Sequence, residues 1–459
     1  MKTLHASVDF SSVIGKIKPM HSVNNGPGTA LGNRNDRYFT EAGIPMARNH
    51  DANFSTANGG PHTVDIMAIF PDLNADENDP ASYDFTLTDI YNRRTIDAGV
   101  GVFYRLGNRI ENESKRYGTK PPPDPHKWAR ICEHIIRHMN EGWADGTYLG
   151  IEYWEIWNEP DGYPNCWEGP WELYYELYDV TSRHLKACFP HLKIGGPAVT
   201  HIGNETFLEP FFAYLTRDPE NPAPMDFFSF HRYADDPHAL AADSEQARAL
   251  ADKYGYTEAE TILDEWNFVK AWNCEGLTKS HLAIPKLKGA AFTAAGMLAC
   301  QNSSLDHLMY YDARMSAFWN GLFDRVTQTP LKPYYAFLYF NALYQLGCAC
   351  HSETDDPNLY AAAAVSEDGK SGAVMLAYFK DHDSIDGERC EDELCRLALD
   401  FTGLSDSNGV NVTYRFVDAQ NTDEVLAWET YHGVSGGHAF PLPLYTVMLA
   451  EFTCVSDAE

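Results

Sequence analysis

Two glutamates are placed to do chemistry. Glu159 closes the run IEYWEIWNEP and Glu265 lies in ETILDEWNF, each at the end of a short apolar and aromatic stretch. A carboxylic acid and a carboxylate about 5–5.5 Å apart can open a glycosidic bond with retention: one protonates the leaving oxygen and the other attacks the anomeric carbon. Such a pair must differ in protonation, so the surroundings are expected to keep one carboxyl protonated near neutral pH and the other ionised. Asn158, just before Glu159, suits a hydrogen bond to the hydroxyl beside the anomeric centre, where contacts strengthen in the transition state. Pro160 then stops the strand.

The elements that must bring these residues together follow from periodicity. Between about Lys18 and Gly347, short β-branched or aromatic runs alternate with amphipathic stretches, the pattern of βα units around a parallel sheet. Eight runs are present: KPMHSVNNG, IPMARNHD, GVGVFYRLG, IEYWEIWNEP, KIGGPAVTH, MDFFSFHRY, ETILDEWNF and LDHLMYYDA. They predict a closed (β/α)8 TIM barrel of the α/β class. In such a barrel, functional side chains sit at the C-terminal ends of the strands, and strands four and seven face each other across the mouth.

Trp128, Ile131, Ile135 and Met139 form one stripe of a helix over 126–143, and Leu173, Leu177 and Leu185 form another over 171–188. Pro333 and Gly347 bracket a last buried helix. After Gly347, strand-like runs such as LYAAAAV, GAVMLAYF, VNVTYRFV and YTVMLAEFTC alternate with Asp, Asn, Gly and Ser turns and predict a smaller C-terminal β-sandwich. The N-terminal run TLHASVDF is expected to add an edge strand to it. The expected domains are an N-terminal strand (1–14), the catalytic barrel (15–347) and the sandwich (348–459).

A formal charge of −30, from 65 acidic and 35 basic residues, argues against nucleic acid as a partner. The 26 Tyr, 24 Phe and 10 Trp supply a large core and suit carbohydrate, whose C–H faces stack on rings. The N-terminus has no secretory-type apolar run and no stretch is long enough to span a bilayer, so a cytoplasmic protein without a membrane partner is expected. Ten scattered cysteines without a paired CxxC point to reduced thiols rather than disulfides or zinc.

His134 and His138 lie four apart, but Ile135 occupies the place of the general base of an HExxH motif, and two exposed histidines on an outer helix are expected. No phosphate loop and no GxSxG elbow occurs. No metal and no cofactor is expected.

HSVNNGP at the first strand, ARNHD at the second, EIWNEPD at the fourth, FFSFHRY at the sixth and LDEWN at the seventh together resemble glycoside hydrolase family 39. This family of β-xylosidases and α-L-iduronidases sits in a clan that carries the acid/base after strand four and the nucleophile after strand seven. The resemblance implies that Glu159 is the acid/base, Glu265 the nucleophile and Asn158 the ligand of the neighbouring hydroxyl. It implies that His231 and Tyr233 lie beside the nucleophile and sugar, and that His50 and Asp51 contact the sugar from below.

Trp266, beside Glu265, is counted with the sugar-contacting residues. The eighth strand departs from the family's β-xylosidases: MYYDARMSAFWNGLFDR carries Asp312 and Arg314 where those enzymes have neighbouring glutamates, while Trp319 and Phe318 offer a stacking wall.

The implied substrate is an oligosaccharide or glycoside with a terminal xyloside, arabinoside or related plant-derived unit, cut from its end, and self-association is a family habit. Two other readings remain open. One is a metal-dependent barrel enzyme recruiting Asp51, Glu159, Asp264 and Glu265; the other is a catalytically silent carbohydrate-binding barrel.

Overall fold

The computed structural model describes residues 1–28, 35–51, 62–315, 317–387, 390, 393–404, 409–432 and 435–455. Eight parallel strands close a barrel in sequence order: β2 (Ser22–Asn24), β3 (Met46–Asn49), β4 (Gly101–Leu106), β5 (Tyr153–Ile156), β6 (Lys193–Val199), β7 (Phe227–Ala234), β8 (Glu260–Phe268) and β9 (His307–Tyr310). They are preceded by β1 (Thr3–Lys16). The expected runs and the observed strands coincide, so barrel strands four and seven are β5 and β8.

Strand pleating sorts the barrel interior into layers, since alternate side chains point inward. Phe103, Tyr153, Phe227, Ile262 and Met309, with Met46 against them, form an apolar plug separate from the main core. Two positions further along β3, β5, β7 and β8 come Arg48, Glu155, Ser229 and Asp264, all fully buried.

The helices cover the outside. Pro125–Glu141 starts with the Asp124 side chain accepting from the amides of His126 and Lys127 and ends on Gly142 in the left-handed conformation. Its stripe is buried as expected. In Trp171–Cys188 the expected stripe is only partly right: Leu177 and Leu185 are buried, but Leu173 is exposed, and Tyr174, Tyr175 and Tyr178 take the inner face. Bulky tyrosines reach the neighbouring helix, where Tyr174 and Phe211 stack 5.9 Å apart.

Eight strands follow the barrel: β10 (Cys348–Thr354), β11 (Leu359–Val365), β12 (Ser371–Tyr378), β13 (Cys395–Thr402), β14 (Val410–Val417), β15 (Thr422–Tyr431), β16 (Gly436–Leu442) and β17 (Val447–Cys454). With β1 they make one nine-stranded sheet ordered β15-β14-β17-β12-β11-β10-β1-β13-β16. The sheet rolls over on itself: Phe401 of β13 meets Phe452 of β17 at 4.7 Å, and Tyr414 of β14 meets Phe440 of β16 at 4.7 Å. The sandwich is therefore one rolled sheet.

Contrary to expectation β1 is an inner strand, antiparallel to β10 and parallel to β13. The alternation of Leu4, Ala6, Val8 and Phe10 that suggested an edge belongs to a strand with one face in the core. Helix Leu287–Gln301 lies between barrel and sheet; it is apolar or small on every side and almost wholly buried. At Gly296 a Cβ would stand 2.6 Å from the Trp266 ring, so only glycine allows this approach.

Because Val8 pairs on both sides, with Ser352 and with Phe401, proline there is expected to delete a ladder hydrogen bond and orphan its carbonyl partner, a loss of about 1–3 kcal/mol. Calorimetry should show a lower melting temperature for Val8→Pro than for Val8→Ala; equal melting would contradict the inner placement.

Candidate active site

The candidate site lies at the C-terminal ends of the barrel strands, above the charged layer. Its floor is organised by Arg48, whose guanidinium is completely buried. Arg48 Nε donates to Glu155 Oε2 at 2.7 Å and lies 3.1 Å from Asp264 Oδ2. Its NH1 donates to Glu265 Oε1 at 2.8 Å and to Asn24 Oδ1 at 3.1 Å, and its NH2 donates to Asn158 Oδ1 at 2.7 Å. Burial alone would discharge the guanidinium, but the charges of Glu155, Asp264 and Glu265 raise its pKa above the ordinary arginine value. Burial, with the neighbouring charge of Glu155, pushes Asp264 well above the usual carboxylate range.

Register shifts in β8, against β7 between Phe230 and His231 and against β9 between Leu263 and Trp266, bring the consecutive residues Asp264 and Glu265 to the same side of the strand. Bulges often re-aim side chains in this way beside active sites. The shift also explains a correction. Trp266 points outward, with its ring against Phe292 at 5.9 Å and Tyr310 at 5.7 Å, buried between barrel and helix, so it does not reach the cavity.

Glu265 is held at both oxygens: Arg48 NH1 serves Oε1, and the Tyr233 hydroxyl donates to Oε2 at 2.8 Å. Glu159 stands three residues past β5, on a backbone with positive φ at Trp157 (75°) and at Glu159 itself (46°). Non-glycine residues in this region carry strain that surrounding contacts must hold, a condition that gathers at functional sites. Here the Trp157 amide donates to Leu106 O at 2.7 Å, and the Glu159 amide to Ala198 O at 2.9 Å.

His231 Nδ1 lies 2.8 Å from Glu159 Oε1 and 3.5 Å from Glu265 Oε2. One oxygen of each glutamate and a ring nitrogen of His231 all lie within 4.8 Å of one another.

The surroundings act on the two glutamates in opposite directions. Burial pushes both up, but the hydrogen bond from His231 and its charge outweigh burial at Glu159, whose pKa falls below the ordinary value. At Glu265 burial, assisted by the charge of Glu159, outweighs His231 and Arg48, and the pKa is raised. Burial lowers His231, yet Glu265 and Glu159 more than compensate and raise it. His231 Nδ1 and Glu159 Oε1, 2.8 Å apart, are placed to pass a proton between them.

His50 is kept neutral by burial and by the charge of Arg48. Arg105 Nε donates to its Nδ1 at 3.1 Å; arginine only donates, so the imidazole proton sits on Nε2, 3.4 Å from Glu265 Oε1. Among the described residues, His50 Nε2 and Asn158 Nδ2 are buried donors without a hydrogen-bond partner.

Asp51 is saturated by Asn25 Nδ2 (2.7 Å), Tyr311 OH (2.5 Å) and Arg314 NH2 (3.2 Å), and Arg314 holds it well below the usual carboxylate range against the effect of burial. Asp312 grips the Arg314 amide and side chain, and burial pushes it up to about 7. Asp51 and Asp312 brace the wall at Tyr311 and Arg314; like His50, Asn158 and His231, they are not among the described residues lining the cavity.

The cavity, about 420 Å³, is lined by Glu159, Glu265, Cys166, Tyr233, Tyr311 and Trp319, with Trp272, Tyr163, Ile110 and Asn112 further along its wall. Tyr233 and Trp319 pack 5.2 Å apart, and Trp272 adds an exposed ring. Phe318 turns away to stack on His281. Arg48, Glu155, Tyr311, Trp272 and Cys166 carried no role in the sequence reading. The signal for the first two was present: a charge in the middle of an apolar barrel strand requires a partner on another strand.

Glu159, His231 and Glu265 are also spaced to share a metal ion. The Arg48 guanidinium 2.8 Å from Glu265 opposes a dication there. A second such group, Glu133, His184 and Cys188, lies on two outer helices, but the Glu133 oxygens are taken by Arg137 at 2.8 Å and His184 at 2.6 Å. His134 and His138 are not exposed: His138 is buried, stacked 3.5 Å from Phe85 and bonded to Asp89 and Trp143 O, and His134 packs on Trp143. No described helix is long and apolar enough to cross a membrane, and all ten cysteines are free thiols.

Comparison with known proteins gives a consistent result. A beta-xylosidase of Geobacillus stearothermophilus is 33% identical over 138 residues, 29% of this chain and 23% of that protein. A beta-xylosidase of Caldicellulosiruptor saccharolyticus is 28% identical over 134 residues, 29% and 26% of the two chains. The match thus spans about a quarter of each relative's length.

Among solved structures, a glucosidase from Croceicoccus marinus superposes with a TM-score of 0.80 at 23% identity over 99% of both chains. A family 39 enzyme from Xanthomonas axonopodis pv. citri superposes with a TM-score of 0.72 at 16% identity over 98% and 97%. These likenesses are of fold. The model of glycosyl hydrolases family 39 matches residues 11–273, more than half of the sequence, and the chain belongs to that family.

Proposed function

We propose that the protein is a retaining glycosidase that removes a terminal sugar by double displacement, with Glu265 as nucleophile and Glu159 as acid/base. The observation that carries this reading is the approach of the two carboxylates, with oxygens within 4.8 Å of one another, near the separation of retaining enzymes and short of the 6.5–9.5 Å needed to seat a water for inversion.

In the first step Glu265 Oε attacks the anomeric carbon while the proton shared by His231 and Glu159 passes through Glu159 to the leaving oxygen. Arg48 and Tyr233 keep Glu265 ionised and aimed. The ester then formed at Glu265 is neutral, and Glu159 is left as a carboxylate beside a neutral His231. In the second step Glu159 takes a proton from water, whose oxygen displaces the ester and returns Glu265 to the carboxylate. The unpartnered donors Asn158 Nδ2 and His50 Nε2 are assigned to sugar hydroxyls, and Tyr233 and Trp319 to the sugar's apolar face.

A cavity of about 420 Å³ suits a terminal unit with part of its leaving group better than a long polymer. Likeness to two beta-xylosidases points to a pentoside such as a xyloside or arabinoside.

Glu265→Gly should lose on the order of 10⁴-fold or more in turnover of a nitrophenyl glycoside, and azide should restore it with a glycosyl azide of inverted configuration. Glu159→Gly should lose about 10²–10⁴-fold and yield the retained azide. NMR of the products decides the matter, and normal turnover in either variant overturns the assignment. The same panel of pentosides and hexosides identifies the sugar.

The pH dependence of kcat/KM should be bell-shaped. Glu265 must be ionised and its pKa is raised above the ordinary 4.5, so activity falls as pH drops through that higher value. The His231–Glu159 proton must be present and His231 is raised above 6.5, so activity also falls as pH rises past it. Tyr233 lowers Glu265 by its hydrogen bond; Tyr233→Phe should move the acid limb up by about one pH unit and leave the alkaline limb in place.

A further inference from the structure

Cys166 is a buried thiol that the mechanism above does not use. It lines the cavity, and its Sγ lies 3.3 Å from Glu159 Oε2, the oxygen not engaged by His231. The contact is built by the loop rather than by chance packing. The Gly162 amide donates to Glu159 O at 2.8 Å, the Cys166 amide donates to Gly162 O at 2.8 Å, and Trp157 Nε1 donates to Cys166 O at 3.0 Å. The chain therefore curls from Glu159 back onto its own carboxylate. A Cβ at Gly162 would stand 3.1 Å from both Cys166 Sγ and Glu159 O, so a side chain there would crowd the thiol.

Resting on the acid/base reading of Glu159, we propose that Cys166 is a positioning residue that holds Glu159 Oε2 and sets how tightly that carboxyl keeps its proton. The two oxygens of Glu159 then have separate partners, His231 at Oε1 and Cys166 at Oε2, which fixes the carboxyl plane. Burial, together with the charges of Glu159, Glu265 and Asp161, keeps the thiol well above its ordinary pKa, so it remains an S–H group and acts as a donor rather than a nucleophile.

A thiol is a weak donor and a weak acceptor. It can donate to the carboxylate and accept from the protonated acid, which suits a residue that must give a proton in one step and recover it in the next. A hydroxyl, as the stronger donor, would favour the carboxylate. The other groups facing Glu159 are His231 from β7, Glu265 from β8, Arg48 from β3 and Asp161 on the same loop; substitution at Cys166 leaves these in place.

The test compares Cys166→Ala and Cys166→Ser with the unaltered protein, recording kcat/KM against pH on a glycoside with an alkyl leaving group and on a dinitrophenyl glycoside, whose departure needs no proton. Loss of the S–H donor should move the alkaline limb up by about half a pH unit in Cys166→Ala, and the stronger hydroxyl should move it down in Cys166→Ser. The alkyl glycoside should lose roughly threefold in kcat/KM in the alanine variant, and the dinitrophenyl glycoside should be little changed.

Unshifted limbs in both variants, or equal losses on the two substrates, overturn the proposal and leave Cys166 as packing. The serine variant keeps the side chain's size, so the test does not depend on the alanine variant folding. If Glu159→Ala leaves the dependence on leaving group unaltered, the acid/base reading itself fails, a result distinguishable from failure of the thiol assignment.

Discussion

A single buried guanidinium holds the site together. Arg48 sits where no water reaches, surrounded by the carboxyls of Glu155, Asp264 and Glu265 and the amide oxygens of Asn24 and Asn158. Desolvating an ion costs several kcal/mol, and removal of one partner from such a cluster typically costs about 3–5 kcal/mol because a charge is left uncompensated. Three acidic groups around one cation crowd one another, and burial with this crowding pushes the Asp264 carboxyl well above the usual range. Arg48 also takes the oxygen side of Asn158, which fixes the amide so that its donor side is free.

The barrel delivers these groups by strand geometry alone. The apolar plug of Phe103, Tyr153, Phe227, Ile262 and Met309 closes one end, and the next inward positions supply the charged layer. The positions above it supply His50, His231 and Glu265, with Arg105 holding His50. Reactive groups on strands, braced by side chains packed beneath them, are held more firmly than groups on loops. Glu159 is the exception, on a strained turn past β5, and it is the group that the His231 and Cys166 contacts fasten.

The barrel was legible in the sequence because each strand falls on one of the compact apolar runs, and because the two glutamates fall at the ends of runs four and seven. The inner layer was less legible. Arg48, Glu155 and Asp264 lie within apolar runs, and periodicity marks them as inward without naming their partners. Trp266 misled because a bulge breaks the alternation that would have placed it, and Leu173 misled because neighbouring tyrosines compete for the inner face. The relative acidity of Glu159 and Glu265 depends on His231 lying 2.8 Å from one and 3.5 Å from the other, a matter of ångströms that residue types cannot encode. The thiol beside Glu159 depends likewise on how the loop from Glu159 to Cys166 closes.

The place of β1 has a consequence for assembly. Its parallel partner β13 lies almost four hundred residues away, with Thr3 opposite Arg396. Every barrel strand lies between them in the chain, so that pairing closes a loop around the whole barrel. Contacts of such separation form late, since the entropy of closing the loop is met before the pairing repays it. During synthesis β1 emerges long before β10 and β13, and it must wait for them until the barrel strands between have been made. The rolled sheet thus acts as a clasp: the pairing of β1 with β10, the strands that flank the barrel in the chain, fastens both of its ends on one support, and the barrel gains resistance to opening at the seam between β2 and β9.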